Sequence, residues 1–155
     1  MTRNEIISAL KSYFRIDELV CPHAFHLIGA EQAWRYLNTE ALHTLLVLRR
    51  DILNVPFELN NYVKKGKFSQ RGYRCNMCNL VKSKTDRGIA YLSAHCSGAA
   101  FDVVSSKMTA EEMRLKIKDK ADLLPYLIRI EQDVNWLHVD TFNDGSKVKI
   151  IYFKG

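Results

Sequence analysis

His95 and Asp102 stand seven positions apart in Ser93-Ala94-His95-Cys96-Ser97-Gly98-Ala99-Ala100-Phe101-Asp102, with a glycine between them. In a regular strand that odd separation would send the imidazole and the carboxylate to opposite faces. Two helical turns would align them, but Gly98 amid small residues argues for a bend, and a bend lets both side chains converge. A second histidine, His138, lies in Trp136-Leu137-His138-Val139-Asp140, a stretch with strand alternation. Two histidines and one carboxylate leave the fourth corner of a zinc tetrahedron to water, which is a catalytic rather than a structural ligand set.

The run S-x-H-x-x-G-x-A-x-D followed by W-x-H-V-D resembles the M15 group of zinc peptidases, with the D-alanyl-D-alanine carboxypeptidase or hedgehog-like fold, and most closely its small phage and prophage members. The resemblance covers roughly residues 57–141. It implies that His95, Asp102 and His138 bind one Zn2+ ion, with Ser93 as a supporting polar neighbour. Such a site needs a general base to take a proton from the attacking water. Glu131 is the first candidate. With Gln132 to Asn135 as the turn, Glu131 falls opposite Trp136 and diagonal to His138 on one sheet face. Some members carry their acid three positions before the last histidine, where this chain has Asn135, so Asp133 stands as the alternative base. The family also uses an upstream arginine to hold a substrate carboxylate or polarise the scissile carbonyl. Its S-G-Y-R motif matches Arg74 best, in Gly72-Tyr73-Arg74, and Arg71 second; a planar guanidinium suits bidentate pairing with a carboxylate.

Cys75-Asn76-Met77-Cys78 supplies half of a structural zinc site, and Cys21-Pro22-His23 could supply the other half, tying a basic loop to the N-terminal helices. The plainer reading is two reduced loop thiols and an unrelated cysteine. Cys96 adjoins a proposed ligand and reads as a small buried residue. Asp140 is either a strand-end charge or a hydrogen-bond acceptor for a ligand imidazole. His43 reads as an ordinary surface or edge residue, Trp34 and Tyr36 as packing residues, and Trp136 as a wall of the cleft.

These residues must be positioned by one domain of 155 residues, N-terminal helices over 1–55 and a zinc-binding core over 56–155. Thr2 with Glu5 is a capping-box pattern that opens a helix through Ile6, Ile7, Leu10, Tyr13 and Phe14. Asp17 is a candidate start for a further short turn, and Cys21 to Gly29 reads as irregular. A helical pattern runs from about Glu31 to Leu53, with an interruption near Asn38 and Thr39, and ends at Asn54-Val55-Pro56. Phe57 to Val63 reads as a strand. Lys64 to Arg87 reads as a long basic connection of the kind that is functional or metal-tethered. Thr109 with Glu112 opens a helix to about Lys118. Leu127 to Glu131, Trp136 to Thr141 and Val148 to Phe153 read as strands. The fold class is therefore α+β, helices packed on a small, mostly antiparallel sheet.

The net charge of +6, from 23 basic and 17 acidic residues, favours a polyanionic partner. Four cysteines are too few and too irregular for a disulfide scaffold. The N-terminus shows no signal-peptide pattern and no stretch is apolar enough to insert in a membrane, so synthesis in the cytoplasm is expected, as a monomer. The resemblance then implies a peptidase of peptidoglycan stem peptides, a carboxypeptidase or an endolysin-type endopeptidase, acting at the cell wall after release or as a virion component. Alternatives are a non-catalytic, zinc-stabilised wall-binding or virion protein and, from another class, a basic zinc-ribbon module binding nucleic acid.

Overall fold

A computed structural model describes all residues from Met1 to Gly155. Helix α1 (Arg3–Leu10) begins at Thr2, whose hydroxyl accepts from the Glu5 amide while the Glu5 carboxylate accepts from the Thr2 amide. Short helices α2 (Ile16–Leu19), α3 (Pro22–Ile28) and α4 (Ala30–Ala33) follow. The chain breaks at Asn38, whose side chain caps α5 (Thr39–Val47), and α5 continues through a π-turn over Leu48–Ile52. Helix α6 (Asn79–Thr85) precedes the sheet and α7 (Ala110–Asp119), capped by the Thr109–Glu112 box, is inserted within it.

The four strands are β1 (Ala100–Val103), β2 (Ile128–Glu131), β3 (Leu137–Asp140) and β4 (Ile150–Phe153), in the order β1-β3-β2-β4. Only the β2–β4 pair is parallel. One face carries Phe101, Val103, Ile128, Ile130, Leu137 and Val139, all buried in a single core cluster with residues of α1, α5 and α7. Alternation then obliges Asp102, Arg129, Glu131, His138 and Asp140 to share the opposite face. The α+β class and the mostly antiparallel sheet agree with the sequence. No helix is long and apolar enough to cross a membrane.

Two local expectations are corrected. Residues 22–28 are helical, because Pro22 occupies the first helical turn, where its missing N–H costs nothing. Residues 57–63 form no strand beyond one bridge, Glu58 to Val104. There Asn60 and Asn61 divert the backbone, Asn60 bonding the Val20 carbonyl and the Arg71 amide through its side chain. The basic connection over 64–87 holds α6, with Cys78 as its N-cap.

Candidate metal centres

The bend forms as a 3-10 turn over Ala94–Ser97 that Gly98 ends in the left-handed region, at φ +66°. Ser93 accepts from the His95 amide at the start of this turn, the supporting role expected of it. His95 therefore leaves the chain before the bend and Asp102 after it, on β1, where Asp102 pairs in register with His138 on β3. The ligand atoms of His95, Asp102 and His138 lie within 4.8 Å of one another, and all three residues are buried.

The hydrogen bonds define what this cluster can hold. His95 Nδ1 lies 2.8 Å from the Gly72 carbonyl, which can only accept, so Nδ1 is the donor. Burial keeps the His95 imidazole neutral, its pKa below the ordinary value. Its Nε2 lone pair then faces Asp102 Oδ2 at 3.3 Å with no hydrogen-bond partner. Two lone pairs in contact call for a cation between them, and about 3.3 Å is the N···O edge of a tetrahedral zinc site.

His138 is flanked by acceptors on both sides, Asp102 Oδ1 at 2.7 Å from Nδ1 and Asp140 Oδ2 at 3.1 Å from Nε2. Without a metal it must carry both protons. Burial opposes that charge, but the two carboxylates outweigh it and bring the pKa up to about 9. Burial likewise works against the charge of Asp102, and the two imidazoles overcome it, holding its carboxyl well below the usual range. A zinc ion would replace the proton at Nδ1 and leave the Nε2–H donating to Asp140, the carboxylate–histidine–metal arrangement of many zinc sites. The donor set thus fits zinc.

Asp140 is not a strand-end charge. Arg129 donates to it twice, at 2.9 and 3.0 Å, and the Phe142 amide donates at 2.9 Å. Arg129 was missed in the sequence; its only signal is that Arg129, Glu131, His138 and Asp140 share strand parity. Tyr91, which accepts from Arg74 Nη1 at 3.0 Å, gives no sequence signal at all.

The cluster forms one wall of an open cleft of about 450 Å³ whose lining also includes Arg74, Arg129, Glu131, Trp136 and Phe153. Trp136 walls the cleft as expected. Glu131 lines it too, but in a different register. Arg129 pairs with Asp140 and Ile130 with Val139, so the next step sets Glu131 across from His138 rather than Trp136. Asp133 is turned away, in a left-handed turn, paired with exposed Lys154 at 2.7 Å and lining a separate groove. Asn135 lies in another groove, against α7.

The two arginines differ in their surroundings. Arg74 is buried and fully engaged, with Nη2 on Asp102 Oδ2 at 3.0 Å and Nε on the Gln70 carbonyl at 2.5 Å. Arg71 stacks on Phe68, 3.5 Å from the ring centroid, and its buried Nη1 has no partner. It lines a second cavity of about 270 Å³ that shares Arg74, Leu80, Asp102 and Trp136 with the main cleft.

The second cluster brings together Cys21, His23, Cys75 and Cys78, again within 4.8 Å. Cys96 lies outside it, half-buried against the core. His43 is an edge residue, half-buried, its ring packed edge-on against Tyr126 at 5.7 Å. Trp34 is in the core, and Tyr36, though exposed, stacks on Tyr73.

No family model matches this chain, and no curated protein or solved structure is detectably similar to it. The fold and sites define an α+β protein with two clusters able to hold metal ions, His2Asp and Cys3His.

Proposed function

We propose that this chain is a zinc peptidase acting on peptidoglycan stem peptides. The observation that carries the reading is the His95 Nε2 lone pair, buried without a partner against Asp102 at the wall of an open cleft that Glu131 also lines. The resemblance of the His95–Asp102 and Trp136–Asp140 segments to M15 peptidases supplies the substrate class.

Bound by His95, Asp102 and His138, zinc would supply Lewis acidity to the scissile carbonyl and to an attacking water. Glu131, on the same sheet face as His138, takes the proton of that water and returns it to the leaving amine. Asp140, held by Arg129, keeps the His138 ring oriented with Nδ1 toward the site. Arg74 fixes Asp102, and Arg71, which lines the adjoining cavity, receives a substrate carboxylate there. Trp136 and Phe153 give the substrate apolar walls. The +6 charge suits an anionic wall polymer, and the protein would meet it after release from the cell or as part of a virion.

Incubation of the zinc-loaded protein with purified peptidoglycan tests the reading. Release of D-alanine marks a carboxypeptidase, and new amino termini within the peptide bridges mark an endopeptidase. A second reading, a zinc-stabilised wall-binding or virion protein without activity, draws on Arg74. Its ion pair with Asp102 gives that carboxylate a partner that needs no substrate. A nucleic-acid-binding ribbon has less support, because the Cys-x-x-Cys completes its cluster with Cys21 and His23 rather than with a second Cys-x-x-Cys.

A further inference from the structure

We infer that Cys21, His23, Cys75 and Cys78 bind a zinc ion that clamps the segment 72–75 to the N-terminal helices and so positions the groups around His95. The inference stands whether or not the protein is a peptidase.

The spacings are those of a tetrahedral site. Cys75 Sγ lies 3.6 Å from His23 Nδ1 and 4.0 Å from Cys78 Sγ, and Cys78 Sγ lies 3.8 Å from His23 Nδ1. A tetrahedron with Zn–S and Zn–N bonds near 2.3 and 2.05 Å has edges of about 3.8 Å between sulfurs and about 3.5 Å from sulfur to nitrogen. At 4.0 Å the two sulfurs of the Cys-x-x-Cys are far from a disulfide, and all four cysteines are free. Cys21 and Cys78 are buried. Three thiols and an imidazole thus converge on one point. With a zinc ion they make a closed ligand set with no corner left for substrate.

The clamp's reach follows from the hydrogen bonds beside it. The Cys21 amide donates to the Tyr73 carbonyl at 3.0 Å, and the Tyr73 amide to the Leu19 carbonyl at 2.9 Å. Gly72 runs so close to Leu19 that a Cβ there would strike the Leu19 carbonyl oxygen. From this segment the Gly72 carbonyl orients the His95 ring, the Arg74 amide bonds the His95 carbonyl at 3.1 Å and the Arg74 guanidinium holds Asp102. Cys75 follows Arg74 directly, so a ligand of the closed site is the immediate chain neighbour of the residue whose side chain grips the open one.

Metal content and cobalt spectroscopy on the intact protein test this. The wild type should hold about two zinc ions per chain, and cobalt in their place should give intense thiolate-to-metal charge-transfer bands. Those bands should persist in His138→Ala and vanish in the Cys75→Ser, Cys78→Ser double variant. Because that variant could fail to fold, the wild type is also titrated with a thiol reagent. One zinc should be released as three thiols react together, and the amides of Tyr73 and Arg74 should lose hydrogen-exchange protection in step. Absence of thiolate charge transfer in the cobalt protein, or reaction of Cys21, Cys75 and Cys78 without release of zinc, would overturn the site. Unchanged protection of Tyr73 and Arg74 after that zinc leaves would overturn the clamp.

Discussion

Arg74 donates to Asp102 at 3.0 Å, and that one contact assigns the two arginines of the Ser69–Arg74 run to different tasks. An arginine buried against a ligand carboxylate has no fork left for substrate, whereas Arg71, stacked on Phe68 and lining the adjoining cavity, does. Arg74→Met should destabilise the fold by about 1–3 kcal/mol, because buried Asp102 loses a charged donor while keeping His138, and should weaken metal binding. Arg71→Ala should leave the melting temperature nearly unchanged and reduce kcat/KM on stem peptides by about 10²-fold. Thermal denaturation and peptide kinetics on the two variants separate these outcomes; equal effects on both measures would contradict the division.

Asp140 acts on the metal through His138, so its loss should be felt in affinity. Asp140→Asn removes the charge that holds the Nε2 proton and frees Arg129 from its double bond. Zinc affinity of the His95–Asp102–His138 site should fall about 10–100-fold. Competition with a chromophoric chelator measures it. An unchanged affinity would mean that Asp140 serves only the strand end.

In the metal-free protein, His138 and Asp102 make stability depend on pH. The His138 pKa stands at about 9 against an ordinary 6.5, so its contribution is complete below about 6.5 and is lost as pH rises through 9. Asp102 is shifted downward, so its contribution is present above about 3.8 and fades only under strong acid. His95, whose pKa burial lowers, works the other way and costs stability as pH falls below its ordinary 6.5. The chelated protein should therefore weaken from about pH 6.5 toward pH 9 as His138 loses its proton, while zinc, which competes with that proton, should bind more tightly over the same rise. Denaturant titrations with chelator and with zinc check both signs.

Much of this arrangement was legible because it rests on local chemistry. The two capping boxes open their helices where Thr2 and Thr109 stand, and the parity of Ile128, Ile130, Leu137 and Val139 marks the core face of the sheet. The metal clusters were legible because histidine and cysteine at such spacings have few other uses. What could not be read depends on distant partners. Pro22 looks like a helix breaker until it is seen as a first-turn residue, and Phe57 to Val63 has strand composition until Asn60 finds Val20 and Arg71. Choosing between Arg71 and Arg74 required knowing which one Asp102 faces, a contact across 28 residues.

The bend that unites His95 with Asp102 is exposed to a single substitution. Gly98 has φ +66°, and a Cβ there would press on the Tyr36 carbonyl oxygen. Gly98→Ala should cost about 2 kcal/mol or more, from the left-handed backbone and the forced displacement of residues 36–37. Chemical denaturation measures the loss, and stability equal to the wild type would show that the turn over Ala94–Ser97 tolerates another path.

Glu131 carries the central claim, because a cleft with zinc and no base would bind stem peptides without cutting them. The direct measurement compares amino-terminus and D-alanine release from purified peptidoglycan by the zinc-loaded wild type and by Glu131→Gln, with zinc content determined in both. The expected result is release by the wild type and a loss of about 10²–10⁴-fold in the variant at unchanged zinc occupancy. No release by the zinc-loaded wild type from any of several wall types, or full activity in Glu131→Gln, would contradict it.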